Sequence, residues 1–199
     1  MPLYFAYCST LDPEQLSRGT GERVARPLFV ASLANHSVLF TRSARYERDI
    51  LDIRPQAGRS VWGAVFEVSG DGLVRLDEAV GAKLVPPEHR RIPTTVTAHL
   101  PDHQTVQTLT GDTIQDGAAV QVQTYEHVEK QDELVPPSPR LLLGIVASAV
   151  RWRLPEDYIS RLAALPSSDA FTVADIRVGA RDGTGIGISH ASRHGHLHL

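Results

Sequence analysis

Two short stretches gather residue types that can do chemistry. Cys8-Ser9-Thr10 follows the apolar run Leu3-Tyr4-Phe5-Ala6-Tyr7 and precedes Leu11-Asp12-Pro13-Glu14-Gln15-Leu16. A thiol, two hydroxyls and several backbone amides therefore meet where a strand turns into a helix. Thr10 or Asp12 suits the cap of that helix, and Pro13 suits its first position. Unpaired amides at such a start converge and attract anions. A thiol there can be acidified into a nucleophile, although cysteine serves equally well as a small buried hydrophobe. The second stretch is Glu88-His89, directly after Pro86-Pro87. Consecutive prolines restrict the backbone and can present the next side chains inward rather than leaving them mobile. A carboxylate beside an imidazole offers groups whose proton affinities a pocket can tune toward neutrality. On a solvated loop the same pair is ordinary surface charge.

A third cluster is less promising. His190, His194, His196 and His198 are spaced two and four apart in a glycine-rich stretch from Gly179 to Leu199. Such spacings can hold a metal, but no acidic or cysteine partner lies nearby. The reading is a flexible tail that takes up nickel or zinc incidentally, so neither a metal site nor a cofactor is expected.

The elements that must position these groups follow from periodicity. Residues 27–40 and 60–68 read as strands, with Thr41 to Arg59 as an exposed loop containing a short extended piece at Ile50–Ile53. Residues 69–79 read as a short capped helix presenting Leu73 and Leu76. Residues 90–100 and 118–128 read as a hairpin with a long polar loop. After Pro136-Pro137-Ser138-Pro139, apolar residues at Leu141, Leu142, Ile145, Val146, Ala149 and Val150 recur at helical spacing. Leu154-Pro155-Glu156-Asp157-Tyr158-Ile159 opens a second short helix, with Leu162 and Leu165 on its apolar side. Strands with helices inserted early, in the middle and late indicate an α+β domain over residues 1–166. Residues 167–199 form a C-terminal extension.

Composition narrows the partners. The 199 residues carry a net charge of −3, with acidic and basic residues interspersed, which argues against nucleic acid. No run approaches the roughly eighteen consecutive apolar residues of a membrane span. The N-terminus has no basic region ahead of its apolar run and does not read as a signal peptide. Cys8 is the single cysteine, so no intrachain disulfide is possible. The default expectation is a cytoplasmic protein with a small-molecule partner. The oligomeric state is not legible.

Three segments together resemble the γ-glutamylcyclotransferase (AIG2-like) family. Tyr4-Phe5-Ala6-Tyr7-Cys8-Ser9-Thr10-Leu11 is similar to its Tyr-Phe-Ala-Tyr-Gly-Ser-Asn-Leu loop. Val61-Trp62-Gly63-Ala64-Val65-Phe66, followed by Leu76-Asp77-Glu78, is similar to its Val-Trp-Gly strand and Leu-Asp-x-x-Glu-Gly helix end. Pro137-Ser138-Pro139-Arg140 and Leu154-Pro155-Glu156-Asp157-Tyr158 are similar to its C-terminal helices. The resemblance spans residues 3 to 165 and implies a small, twisted, largely closed β-sheet ringed by short helices, with a pocket at one mouth. It also implies substrate contacts from Tyr7, Cys8, Ser9, Thr10, Leu11 and Tyr125. The family's reaction is intramolecular aminolysis of a γ-glutamyl amide. It needs a donor-rich loop and one carboxylate to carry a proton from the attacking amine to the leaving amine.

That carboxylate is where the sequence departs from the pattern. In register with Asp77 and Gly81, Val80 stands at the catalytic glutamate, and valine carries no proton. Cys8 and Thr10 replace the loop's glycine and asparagine. The candidate replacements for the lost base are Glu88, His89 and Cys8, with Glu78 if the register slips by two. The expectation is a diverged enzyme acting on a small molecule with a carboxylate or amide, in small-molecule biosynthesis, with activity on γ-glutamyl dipeptides absent or very weak. A non-catalytic binding protein of the same fold, or an ordinary 5-oxoproline-forming cyclotransferase using Glu78 or Glu88, are the alternatives.

Overall fold

In a computed structural model the chain is described over residues 1–21, 25–42, 49–101, 104–128 and 135–168. Five strands close into a barrel in the order β1-β3-β2-β4-β7, where β1 is Leu3–Ala6, β2 Arg26–Arg42, β3 Asp49–Glu67, β4 His89–His99 and β7 Ala119–His127. Every pairing is antiparallel except the closing one, in which Tyr4 of β1 meets Gln123 of β7 in parallel. The short strands β5 (Thr105–Gln107) and β6 (Thr113–Gln115) form a separate hairpin within the β4–β7 connection. Four helices complete the order: α1 Pro13–Thr20, α2 Gly70–Ala79, α3 Pro139–Arg151 and α4 Glu156–Ala163.

Alternation along the strands gives the barrel two faces. Phe5, Phe29, Ala31, Leu33, Val61 and Val65 share one face through their register and are almost fully buried. Tyr4 and Phe66 lie on the other, which the helices cover: the Trp152 ring at the end of α3 packs edge-on against Phe66, with centroids 5.3 Å apart. Gly63 is where the inner packing is tightest. A Cβ there would collide with the Ala6 carbonyl and the Phe5 ring, so only glycine permits this approach of β1 to β3.

The helices start and stop as their sequences dictate. Asp12 caps α1, accepting from the Glu14 N–H at 3.0 Å, and Ser69 caps α2, accepting from the Gly72 N–H at 2.9 Å. Leu73 and Leu76 of α2 are buried, as are Leu142, Ile145, Val146 and Ala149 of α3. Val150, expected on the same apolar face, is instead exposed, because it falls on the solvent side of the last turn.

The segment from Thr41 to Arg59 corrects the expectation of an exposed loop. β2 runs on to Arg42 and β3 begins at Asp49, so residues 49–59 are strand. Exposed polar residues disguised the pattern, and a register shift between Ala34 and His36 breaks the alternation a sequence can show. Asn35 (φ 57°) and Gly58 (φ 74°) absorb that shift, with the Gly58 N–H donating to Asn35 Oδ1 at 3.2 Å. Beyond the shift, fully buried Asp52 accepts from the His127 N–H at 2.8 Å, and Asp49 accepts from the Ser138 N–H at 2.6 Å. The hairpin thereby holds both the end of β7 and the start of α3. The chain remains tied in as far as Ser168, whose N–H donates to the Pro137 carbonyl at 2.9 Å. The four tail histidines lie outside the described residues.

Candidate functional site

The loop after β1 tightens into a single 3-10 turn: the Leu11 N–H donates to the Cys8 carbonyl at 2.9 Å and the Asp12 N–H to the Ser9 carbonyl at 3.2 Å. Cys8 has φ −117° and ψ −142°, outside the helical and extended regions but not in the positive-φ region that favours glycine. Thr10 turns toward the sheet, where its Oγ1 shares a 2.8 Å hydrogen bond with the Tyr4 hydroxyl and lies 3.5 Å from Cys8 Sγ. Ser9 is exposed and lines a cavity against α3. Trp152 braces the loop's end, donating from Nε1 to the Leu11 carbonyl at 2.8 Å.

Tyr125 of β7 joins this loop to α2. Its ring tilts against Tyr4 with centroids 5.9 Å apart, and its hydroxyl donates to Asp77 Oδ1 at 2.7 Å. Arg91, opposite Tyr125 in the β4–β7 register, reaches the other oxygen of Asp77 at 3.3 Å. Burial, and then the hydrogen bond to Asp77 and the charge it carries, raise the Tyr125 pKa well above the usual phenol range. Tyr125 is therefore a neutral donor at physiological pH.

The end of α2 brings the second stretch into the same neighbourhood. Gly81 adopts φ 78°, a conformation that favours glycine, and its carbonyl accepts from the Glu88 N–H at 3.1 Å. The loop between them folds Glu88 back, so that the residue is only 7% exposed. Its Oε2 lies 3.1 Å from where a Cβ on Gly81 would stand. His89 Nδ1 donates to the Val80 carbonyl at 2.7 Å, which places a proton on Nδ1. Its ring meets that of His127 edge-on, with centroids 5.4 Å apart. Both members of the predicted pair thus pack on the Val80–Gly81 turn. Glu78 does not: it points outward, in a 3.0 Å ion pair with Lys83.

Of the residues expected to bind substrate, Thr10, Cys8 and Tyr125 gather around Tyr4. Ser9 lines the cavity against α3 instead. Tyr7 and Leu11 are buried with structural bonds, the Tyr7 hydroxyl donating to the Tyr125 carbonyl at 2.7 Å. Sequence reasoning missed three members of the cluster. Asp77 served only as a register mark, and Arg91 was not singled out. Tyr4 read as core, because its approach to Tyr125 depends on the parallel β1–β7 contact, which leaves no trace in either segment. Among the described residues no group of three or more His, Cys, Asp or Glu side chains is placed to hold a metal ion.

No protein-family model and no curated protein matches the chain significantly. Solved structures do. A γ-glutamyl cyclotransferase is 26% identical with a TM-score of 0.62, covering 84% of this chain and 89% of its own. An uncharacterised Homo sapiens protein, loc79017, is 25% identical with a TM-score of 0.66, covering 94% and 92%. YkqA from Bacillus subtilis, at 19% identity and a TM-score of 0.62, shares the fold over 84% of this chain but only 56% of its own length.

Proposed function

The chain belongs to the γ-glutamylcyclotransferase-like (AIG2-like) fold family, and from that premise we propose that it is a diverged enzyme that cleaves an amide of a small molecule with Glu88 as its proton carrier. The observation that carries this reading is the position of Glu88, a buried carboxylate packed on Gly81, next to the valine that stands where the family's glutamate is expected. In the proposed step the substrate's amine attacks its own amide carbonyl. Glu88 accepts the proton that the attacking nitrogen gives up, the C–N bond breaks, and the same proton passes to the departing amine. His89 follows it on the same turn, held by its Nδ1 hydrogen bond to the Val80 carbonyl. Cys8 and Thr10 supply hydrogen-bonding groups for the substrate, and Tyr125, whose hydroxyl proton is held by Asp77, ties α2 to this loop.

A carboxylate moved off the family position alters which substrates align with it, so γ-glutamyl dipeptides are expected to turn over more slowly than ~1 s⁻¹. The experiment is amine release from a panel of γ-glutamyl amides and other small amino amides. Release from at least one compound, lowered about 10²–10⁴-fold by Glu88→Gln with the thermal midpoint retained, is the expected result. A Glu88→Gln protein of full activity overturns the assignment. Retention there with loss in Cys8→Ser transfers the role to Cys8, and absence of release from every compound favours a binding protein of the same fold.

A further inference from the structure

A second constellation lies at the other end of β4 from Glu88, since that strand begins at His89 and ends at His99. Ser32 of β2 stands opposite Trp62 of β3 and Thr97 of β4, so the three side chains share one face of the sheet. Alternation along β3 puts Trp62 on the same side as Phe66, which is the outer face of the barrel. His99, two residues past Thr97, projects from that face diagonally to Ser32.

Ser32 Oγ and His99 Nε2 share a hydrogen bond of 2.8 Å, the separation at which an imidazole can draw a proton from a hydroxyl. The Trp62 ring tilts against the imidazole with centroids 4.4 Å apart, which holds its orientation. Burial lowers the His99 pKa, and the charge of Asp116 opposes that shift without cancelling it. The ring is therefore neutral at physiological pH and able to act as a base. Asp116 is itself fixed, accepting from the Leu100 N–H at 2.9 Å. Ser32 is buried whereas Trp62, Thr97 and His99 are half-buried, so the hydroxyl sits just below the surface. That depth favours a small reacting group over a bulky one. We propose that Ser32 and His99 form a nucleophile–base pair that takes a small acyl group from an activated ester. With its own proton on Nδ1, His99 accepts the Ser32 proton at Nε2 as Oγ bonds to the carbonyl carbon. The bond to the leaving oxygen breaks, and His99 passes the proton to that oxygen. Water then attacks the acyl-serine and gives a proton to His99, which returns it to Ser32 Oγ as the carboxylic acid departs. The pair uses neither Glu88 nor an amide.

The full chain is tested with p-nitrophenyl acetate and, separately, with methanesulfonyl fluoride. Protein-dependent nitrophenol release is expected to fall about 10²-fold or more in Ser32→Ala and in His99→Gln. Methanesulfonyl fluoride is a small electrophile from which Ser32 Oγ displaces fluoride, leaving a sulfonate ester. One adduct per chain, mapped to Ser32 by peptide mass spectrometry, and loss of nitrophenol release are the expected results. The labelling is done on the wild type, so a poorly folded variant does not decide the outcome. No release by the wild type, undiminished release by either variant, or no adduct at Ser32 overturns the proposal. Ester cleavage without amide cleavage leaves this inference standing and removes the reading of Glu88. Amide cleavage without an adduct at Ser32 does the reverse.

Discussion

Around Tyr125 the chemistry depends on a proton staying where it is. The unfolded chain releases a tyrosine proton near pH ~10, whereas burial and Asp77 hold Tyr125 protonated beyond that range. A folded-state pKa raised above the unfolded value contributes stability that is fully present below pH ~10 and is lost as the pH climbs above it. Tyr4 and Tyr7, raised chiefly by burial, act in the same direction. Tyr125→Phe is therefore expected to flatten part of the alkaline fall in stability. At neutral pH it costs about 1–3 kcal/mol, because Asp77 loses its buried donor. Urea midpoints measured from neutral pH to about pH 11 check this. An alkaline limb identical to that of the wild type contradicts it. Glu88 illustrates what a sequence can convey at this scale. The two prolines before it fitted a solvated loop as well as an inward turn, and the packing on Gly81 became visible only once the loop had closed.

Elements place these residues through a few unforgiving contacts. β1 contributes only four residues, yet it carries Tyr4 and leads into the Cys8–Leu11 loop, so its seating against β3 positions half the candidate site. Gly63 permits that seating. Gly63→Ala forces a methyl group against the Ala6 carbonyl and the Phe5 ring, and backbone cannot step aside as a flexible side chain does. The expected loss is about 3 kcal/mol or more, read as a lower urea midpoint, and an unchanged midpoint would refute this account of the β1–β3 contact. The helices were legible because their caps and apolar spacings are local signals. Ser69, Asp12 and Pro13 announce their own positions. The distal half of the β2–β3 hairpin was not legible, because its stability lies in long-range bonds. Asp52 reaches the His127 amide and Asp49 reaches the Ser138 amide, pairings that no window of neighbouring residues contains.

At the scale of the whole molecule, one barrel presents a single loop to two different environments. Thr10 and Cys8 meet Tyr4 within the cluster that includes Tyr125 and Asp77, while Ser9 meets the cavity beside α3. The fold was readable from three motifs in register, since a closed sheet with few helices leaves little freedom once its strands and glycines are fixed. The acid–base group was not, because Val80 stands where the resemblance leads one to expect a glutamate, and the proposed replacement lies on another segment. The central claim is that Glu88 does the work of a carboxylate at position 80. The most direct measurement compares amine-release rates of the wild type, Glu88→Gln, Val80→Glu and the double variant on the substrate that the panel identifies. The account predicts a loss of about 10²–10⁴-fold in Glu88→Gln and recovery of much of it when Val80→Glu restores a carboxylate to the same turn. A Glu88→Gln protein as fast as the wild type would contradict the claim.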